Sequence, residues 1–175
     1  MCQHFSYSVS TVLPRDRVWE LFADIENWPK FSDVYDTLKW SGSPWTPGSA
    51  LLGSIHYPHP LPFRYVLEIC EPGSLLTYVA HSTAAGFATH RTVRFDELHG
   101  RTWMQVDSYI VGEPGFAIAG GGYGFLKLLT ERWFQGFARF CDKHADPRQS
   151  FAVYPQVHGH IENSVADDTI AMGRG

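Results

Sequence analysis

Between residues 34 and 112 the chain reads as six runs rich in β-branched and aromatic side chains. They are VYDTLKW, SALLGSIHY, PFRYVLEIC, SLLTYVAH, GFATHRTVRFDEL and TWMQVDSYIVG, separated by SGSPWTPG, PHPL, EPG, STAA and HGR. Glycine and proline supply the backbone angles that tight reversals need, and connections this short can join only antiparallel neighbours, because a parallel pair requires a crossover of a dozen residues or more. An antiparallel meander is expected. A seventh run precedes it: in HFSYSVSTVL, residues 4–13, Phe5, Tyr7 and Val9 alternate with Ser6, Ser8 and Ser10, the period of a strand with one buried face.

Helical spacing flanks the β region. Pro14 opens RDRVWELFADI, in which Val18, Leu21, Phe22 and Ile25 recur at helical intervals, and ENWPKF follows with a proline that interrupts the run, predicting two short helices. After the strands, YGFLKLLTERWFQGFARFCDKHA (123–145) contains no proline and sets Leu126, Leu129, Trp133, Phe137, Phe140 and Cys141 on one stripe. This predicts a long helix packed lengthwise on the sheet, and so an α+β fold with one core. Residues 146–175 turn polar and small with little periodicity, so the expected organisation is one domain over 1–145 and a mobile tail over 146–175.

Composition narrows the partners. A net charge of -4 and a pI near 6.1 leave no basic footprint for nucleic acid. No stretch approaches the ~18 apolar residues of a membrane span, so no stable membrane insertion is expected. Cys2, Cys70 and Cys141 are scattered, with no Cys-x-x-Cys, and a reducing cytoplasm is the simplest compartment. His56-x-x-His59 and His158-x-His160 lack the companions of a metal site, and no metal or cofactor is expected. In AGGGYGFLK, residues 119–127, Phe125 stands where a phosphate-binding loop or a dinucleotide fingerprint would need another residue type.

A strand, two short helices, six antiparallel strands and a long C-terminal helix is the order of the helix-grip fold. VWELFADIENWPKFSDV at 18–34 resembles the opening of the SRPBCC superfamily, which includes START, Bet v 1-like and polyketide cyclase/dehydrase proteins. The likeness covers about residues 4–145. It is echoed by Pro47-Gly48, by EPGSLLTY at 71–78 and by the His90 strand leading to the Gly100 turn, although Arg101 here separates Gly100 from Thr102. The resemblance implies a seven-stranded curved antiparallel sheet gripping the long helix incompletely, with an apolar cavity between them. On that reading Gly120, Gly121, Gly122 and Gly124 form the strand-to-helix connection at the cavity mouth.

The expected ligand is a small hydrophobic molecule: a lipid, a polyketide or another aromatic metabolite. Alternation turns Phe63, Tyr65, Leu67 and Ile69 to one side, Leu76 and Tyr78 to the same interior, and Met104, Val106, Ser108 and Ile110 inward on the last strand, with Cys70 facing solvent or the sheet's back. Tyr65 and Tyr78 are expected to orient the ligand. Leu67, Met104, Val106, Phe125, Leu129 and Trp133 are expected to line the pocket, with Ser108 and His90 as hydrogen-bonding groups. A bulge between residues 90 and 93 would decide whether His90 points in or out. Trp19, Phe22, Trp28 and Phe31 read chiefly as core, with Trp28 or Phe31 at the entrance. Two alternatives remain open: a cyclase/dehydratase-type enzyme using His90 or Tyr78 as acid or base, and a START-like lipid or quinone module.

Overall fold

A computed structural model describes residues 2–56, 60–82, 87–112 and 122–145. Chain order is β1 (Cys2–Thr11), α1 (Arg15–Ala23), a 3-10 turn (Ile25–Asn27), α2 (Trp28–Phe31), β2 (Tyr35–Ser41), β3 (Ala50–His56), β4 (Pro60–Glu71), β5 (Leu75–Ser82), β6 (Phe87–Leu98), β7 (Arg101–Gly112) and α3 (Gly122–Lys143). The expected mobile tail, 146–175, lies outside the described residues, as do His59, His158, His160, Gly120 and Gly121.

All seven strands join one antiparallel sheet in the order β1-β7-β6-β5-β4-β3-β2. β2 to β7 follow one another as the meander predicted from the short turns, and β1 pairs with β7 from Cys2↔Val111 to Thr11↔Thr102. Helix α3 runs alongside β1 and is fastened at both ends. Tyr123 Oη donates to His4 O at 2.9 Å near its start, and Thr11 Oγ1 donates to Asp142 Oδ1 at 2.6 Å near its end.

The two short helices carry the aromatic cluster into the gap between sheet and α3. Val18 and Phe22, one turn apart, are the buried residues of α1. Six rings surround Phe22 with centroids 5.2 to 5.8 Å away: Trp19, Trp28, Trp45, Phe95, Trp133 and Phe137. Trp28 is pinned as its Nε1 donates to Phe22 O at 2.8 Å. Phe31 packs on Trp133, Phe137 and Phe140, successive positions on one face of α3. That approach depends on Gly136, where a Cβ would lie 2.6 Å from Phe31 O.

Two details of alternation depart from expectation. The β4–β5 register shifts between Leu67 and Ile69, so the side-chain parity reverses. Ile69 is therefore exposed and Cys70, expected to face solvent or the back, packs against the core. On β6 the reverse holds: pairing with β5 and β7 continues without a shift from Phe87 to Arg94. There is no bulge to turn His90 inward. Thr89, Arg91, Val93 and Phe95 are the buried set, and His90 lies on the outer face with Nε2 3.0 Å from Glu68 Oε2.

Candidate functional site

Sheet and α3 do not fill the space between them. A cavity of about 30 Å³ is bounded by Phe22 and Trp28 from the short helices, by Tyr35, Tyr65, Tyr78 and Arg91 from the sheet, and by Leu129, Thr130 and Trp133 from α3. A second cavity of about 20 Å³ lies toward Trp40, Trp45, Leu51, Leu67 and Leu76. Phe22, Trp28, Tyr65 and Tyr78 border both, so four aromatic side chains form the partition. A water needs roughly 10–15 Å³ of such space, so the larger cavity holds two or so water-sized occupants in this conformation.

Two of its polar side chains, Tyr78 and Arg91, belong to a cross-strand row. Leu67, Tyr78, Arg91 and Ser108 stand opposite one another on β4, β5, β6 and β7. The unbroken register of β6 that sends His90 out brings Arg91 in. Arg91 is 7 % exposed; its Nε donates to Ser108 Oγ at 2.8 Å and its Nη1 to Tyr78 Oη at 3.4 Å. The guanidinium carbon sits 5.9 Å from the Tyr78 ring centroid. Among the described residues no carboxylate forms an ion pair with Arg91.

Tyrosines complete this end. Tyr35 and Tyr65 place their hydroxyls 3.3 Å apart, and the Tyr65 and Tyr78 rings lie 4.9 Å apart. Burial, reinforced by the neighbouring phenols, holds Tyr35 well above the usual tyrosine range. Burial likewise pushes Tyr65 up to about 12. Burial disfavours the charge on Arg91, yet the surrounding Tyr78, Tyr65 and Tyr35 oxygens outweigh it and shift its pKa upward, so the guanidinium stays protonated. The site at neutral pH holds a fixed cation near the neutral phenols of Tyr35 and Tyr65. On α3, Trp133 Nε1 is buried without a hydrogen-bond partner among the described residues.

The expected site residues divide accordingly. Tyr65, Tyr78, Leu129 and Trp133 border the larger cavity and Leu67 the smaller. Met104 and Val106 face inward as alternation predicted but are fully buried in the core, bordering neither cavity. Ser108 reaches the site through Arg91, and Phe125 packs beside both clusters of the core. His90 lies on the outer face beside Glu68, away from the cavity. Gly122 and Gly124 belong to the first turn of α3 and not to the connecting loop. The glycines' entropic cost is offset because Tyr123 and Leu126, in the same turn, dock on Phe5 and Ile110. Phe31 packs away from the cavities, while Trp28 lies on both. Sequence reasoning missed Tyr35 and Arg91. The signal for Arg91 was present, since stepping back by twos from Phe95 and Val93 reaches it. The thiol of Cys141, fully buried, is pushed up to about 12 by burial and by the adjacent Asp142, which makes it a packing residue and not a nucleophile.

A seven-stranded antiparallel sheet, short helices inserted after its first strand, and a long C-terminal helix closing an incompletely filled interior define the Bet v 1-like helix-grip fold. No protein-family model matches the sequence, and no curated protein matches it significantly. Solved structures do match in shape. The crystal structure of Ara h 8.0201 aligns with a TM-score of 0.68 at 8% identity, covering 81% of this chain and 98% of that one. Norcoclaurine synthase from Thalictrum flavum, in complex with dopamine and hydroxybenzaldehyde, aligns with a TM-score of 0.63 at 10% identity over 83% of this chain and 90% of that one. A hypothetical protein from Helicobacter pylori aligns with a TM-score of 0.66 at 13% identity over 79% and 88%. Ara h 8 and norcoclaurine synthase are Bet v 1-like proteins of the SRPBCC/Bet v 1 superfamily. Identities this low carry the fold and nothing finer.

Proposed function

We propose that this protein binds a small, largely hydrophobic, ring-containing molecule between the sheet and α3. The observation that carries the reading is the unfilled, aromatic-walled interior with its polar groups gathered at one end. Phe22, Trp28, Leu129 and Trp133 supply flat apolar surface for a ring, while Tyr35, Tyr65 and Tyr78 offer hydroxyls that fix its orientation. The ligand enters by moving the Tyr65–Tyr78 partition, which merges the two small cavities into one elongated space. Aromatic rings in such a partition rearrange by rotamer changes without breaking the sheet. The neighbour that holds dopamine and hydroxybenzaldehyde on the same fold lends support to a ligand of this size and kind.

An enzyme of the cyclase/dehydratase type is the second reading, and Tyr78 is the acid–base candidate left to it. The raised pKa values of Tyr35 and Tyr65 favour hydrogen-bonding phenols over proton acceptors, and so favour binding. A longer lipid or a quinone would occupy the same merged space. The free thiols of Cys2, Cys70 and Cys141 accord with a reducing cytoplasm.

Titration with the neutral fluorophore N-phenyl-1-naphthylamine tests the reading. Saturable one-to-one binding is expected, weakened about tenfold or more by Leu129→Trp, which fills the cavity from the α3 side. A signal that never saturates, or one indifferent to Leu129→Trp, would overturn it.

A further inference from the structure

Among the described residues, Arg91 is the only charged one bordering either cavity. A guanidinium has five N–H donors. Two of them are used, by Ser108 and Tyr78, and no described residue supplies an acceptor for the rest. No acidic side chain among the described residues neutralises it. A buried charge without a counterion is costly, and it is retained where something else supplies the opposite charge. On α3, the buried Trp133 indole N–H has no acceptor among the described residues, but it is sealed within the core. The unused guanidinium donors at the cavity wall therefore lack what a ligand group can provide.

We infer that the cavity ligand carries a carboxylate, which Arg91 receives through its free Nη donors. This inference rests on the proposed binding function and names the chemistry of its polar end. Carboxylate is favoured over phosphate on two counts. Its planar pair of oxygens matches the guanidinium fork. Its single negative charge also balances a single cation, whereas a phosphate monoester would bring charge for which the cavity has no second partner. Ser108, fully buried on the adjacent strand, acts as a positioning residue: by accepting from Nε it fixes the plane in which the remaining donors lie. The ligand class is an aromatic carboxylic acid, its ring among Phe22, Trp28 and Leu129 and its acid group on Arg91.

The test compares 2-naphthylacetic acid with 2-naphthaleneethanol, similar in size and differing in charge, by calorimetry and by ligand-induced Tm shift at pH 7. Wild type is expected to bind the acid about tenfold or more tightly than the alcohol and to gain the larger Tm increase with it. In Arg91→Gln the ratio should collapse toward unity. In Arg91→Lys, which keeps the charge but loses the fork, it should fall part of the way. Equal affinities in wild type would overturn the carboxylate while leaving the hydrophobic site standing, and binding of neither compound would overturn both. An acid preference unchanged in Arg91→Gln or in Arg91→Lys would remove Arg91 from the role; should Arg91→Gln fail to fold, the wild-type and Arg91→Lys ratios decide.

Discussion

Arg91 and Ser108 stand opposite each other on β6 and β7, and the guanidinium Nε donates to the serine hydroxyl at 2.8 Å in the closed interior of the sheet. A serine that is completely buried serves here as the fixed acceptor of a charged donor. Hydrogen bonds to charged groups contribute about 1.5–3 kcal/mol, and Ser108→Ala is expected to lower stability in urea by about that much. The acid-over-alcohol preference should fall with it. Loss of stability with the preference intact would make Ser108 a packing residue only.

His90 provides the contrasting case. It faces solvent and pairs with Glu68 across exposed surface, with side chains 48 % and 46 % accessible. Such pairs contribute about 0–1 kcal/mol. His90→Gln is expected to change unfolding free energy by under about 0.5 kcal/mol and to leave naphthylamine affinity unchanged. A large loss of binding in that variant would contradict the outward placement.

Gly136 marks where α3 meets the chain leaving α2. A methyl group there would lie 2.6 Å from Phe31 O and 3.6 Å from the Phe31 ring. Gly136→Ala should destabilise the protein by about 1–3 kcal/mol, despite alanine's better helix propensity, because the overlap falls on backbone. Thermal and urea unfolding measure it; a stabilised variant would show that α2 yields readily.

The alkaline limb follows from Tyr65. Its folded pKa of about 12 lies above the ordinary value near 10. The folded state therefore favours the neutral phenol, and the resulting stability is fully present below pH ~10 and is lost as pH rises toward ~12. Wild type should lose stability across that window more steeply than Tyr65→Phe. Absorbance at 295 nm should show the difference as a late-ionising phenol missing from the variant.

Much of this protein is settled by local pattern. The run of alternating segments cut by glycine and proline dictates antiparallel strands. The proline-free stripe from Leu126 to Cys141 dictates a long helix, and the resemblance at 18–34 supplied the order in which they pack. Period-2 alternation also assigned Met104, Val106, Ser108 and Ile110 inward, because β7 carries no irregularity. These features need only the pitch of a strand or helix and the preference of apolar side chains for the interior.

Tertiary structure decided the remainder, for a definite reason: parity holds only as far as the register is unbroken, and register belongs to a pair of strands. The shift beside Leu67 reversed Ile69 and Cys70, whereas the absence of one in β6 placed His90 outside and Arg91 inside. Nothing local in the sequence distinguishes those two strands. The site's electrostatic character likewise arises from Tyr35, Tyr65, Tyr78, Arg91 and Ser108, which stand on five different strands and meet only when the sheet has formed. An arginine in an alternating run reads as a solvated charge; the burial of Arg91 beside three tyrosines, with no acid among the described residues to neutralise it, exists only in the folded chain.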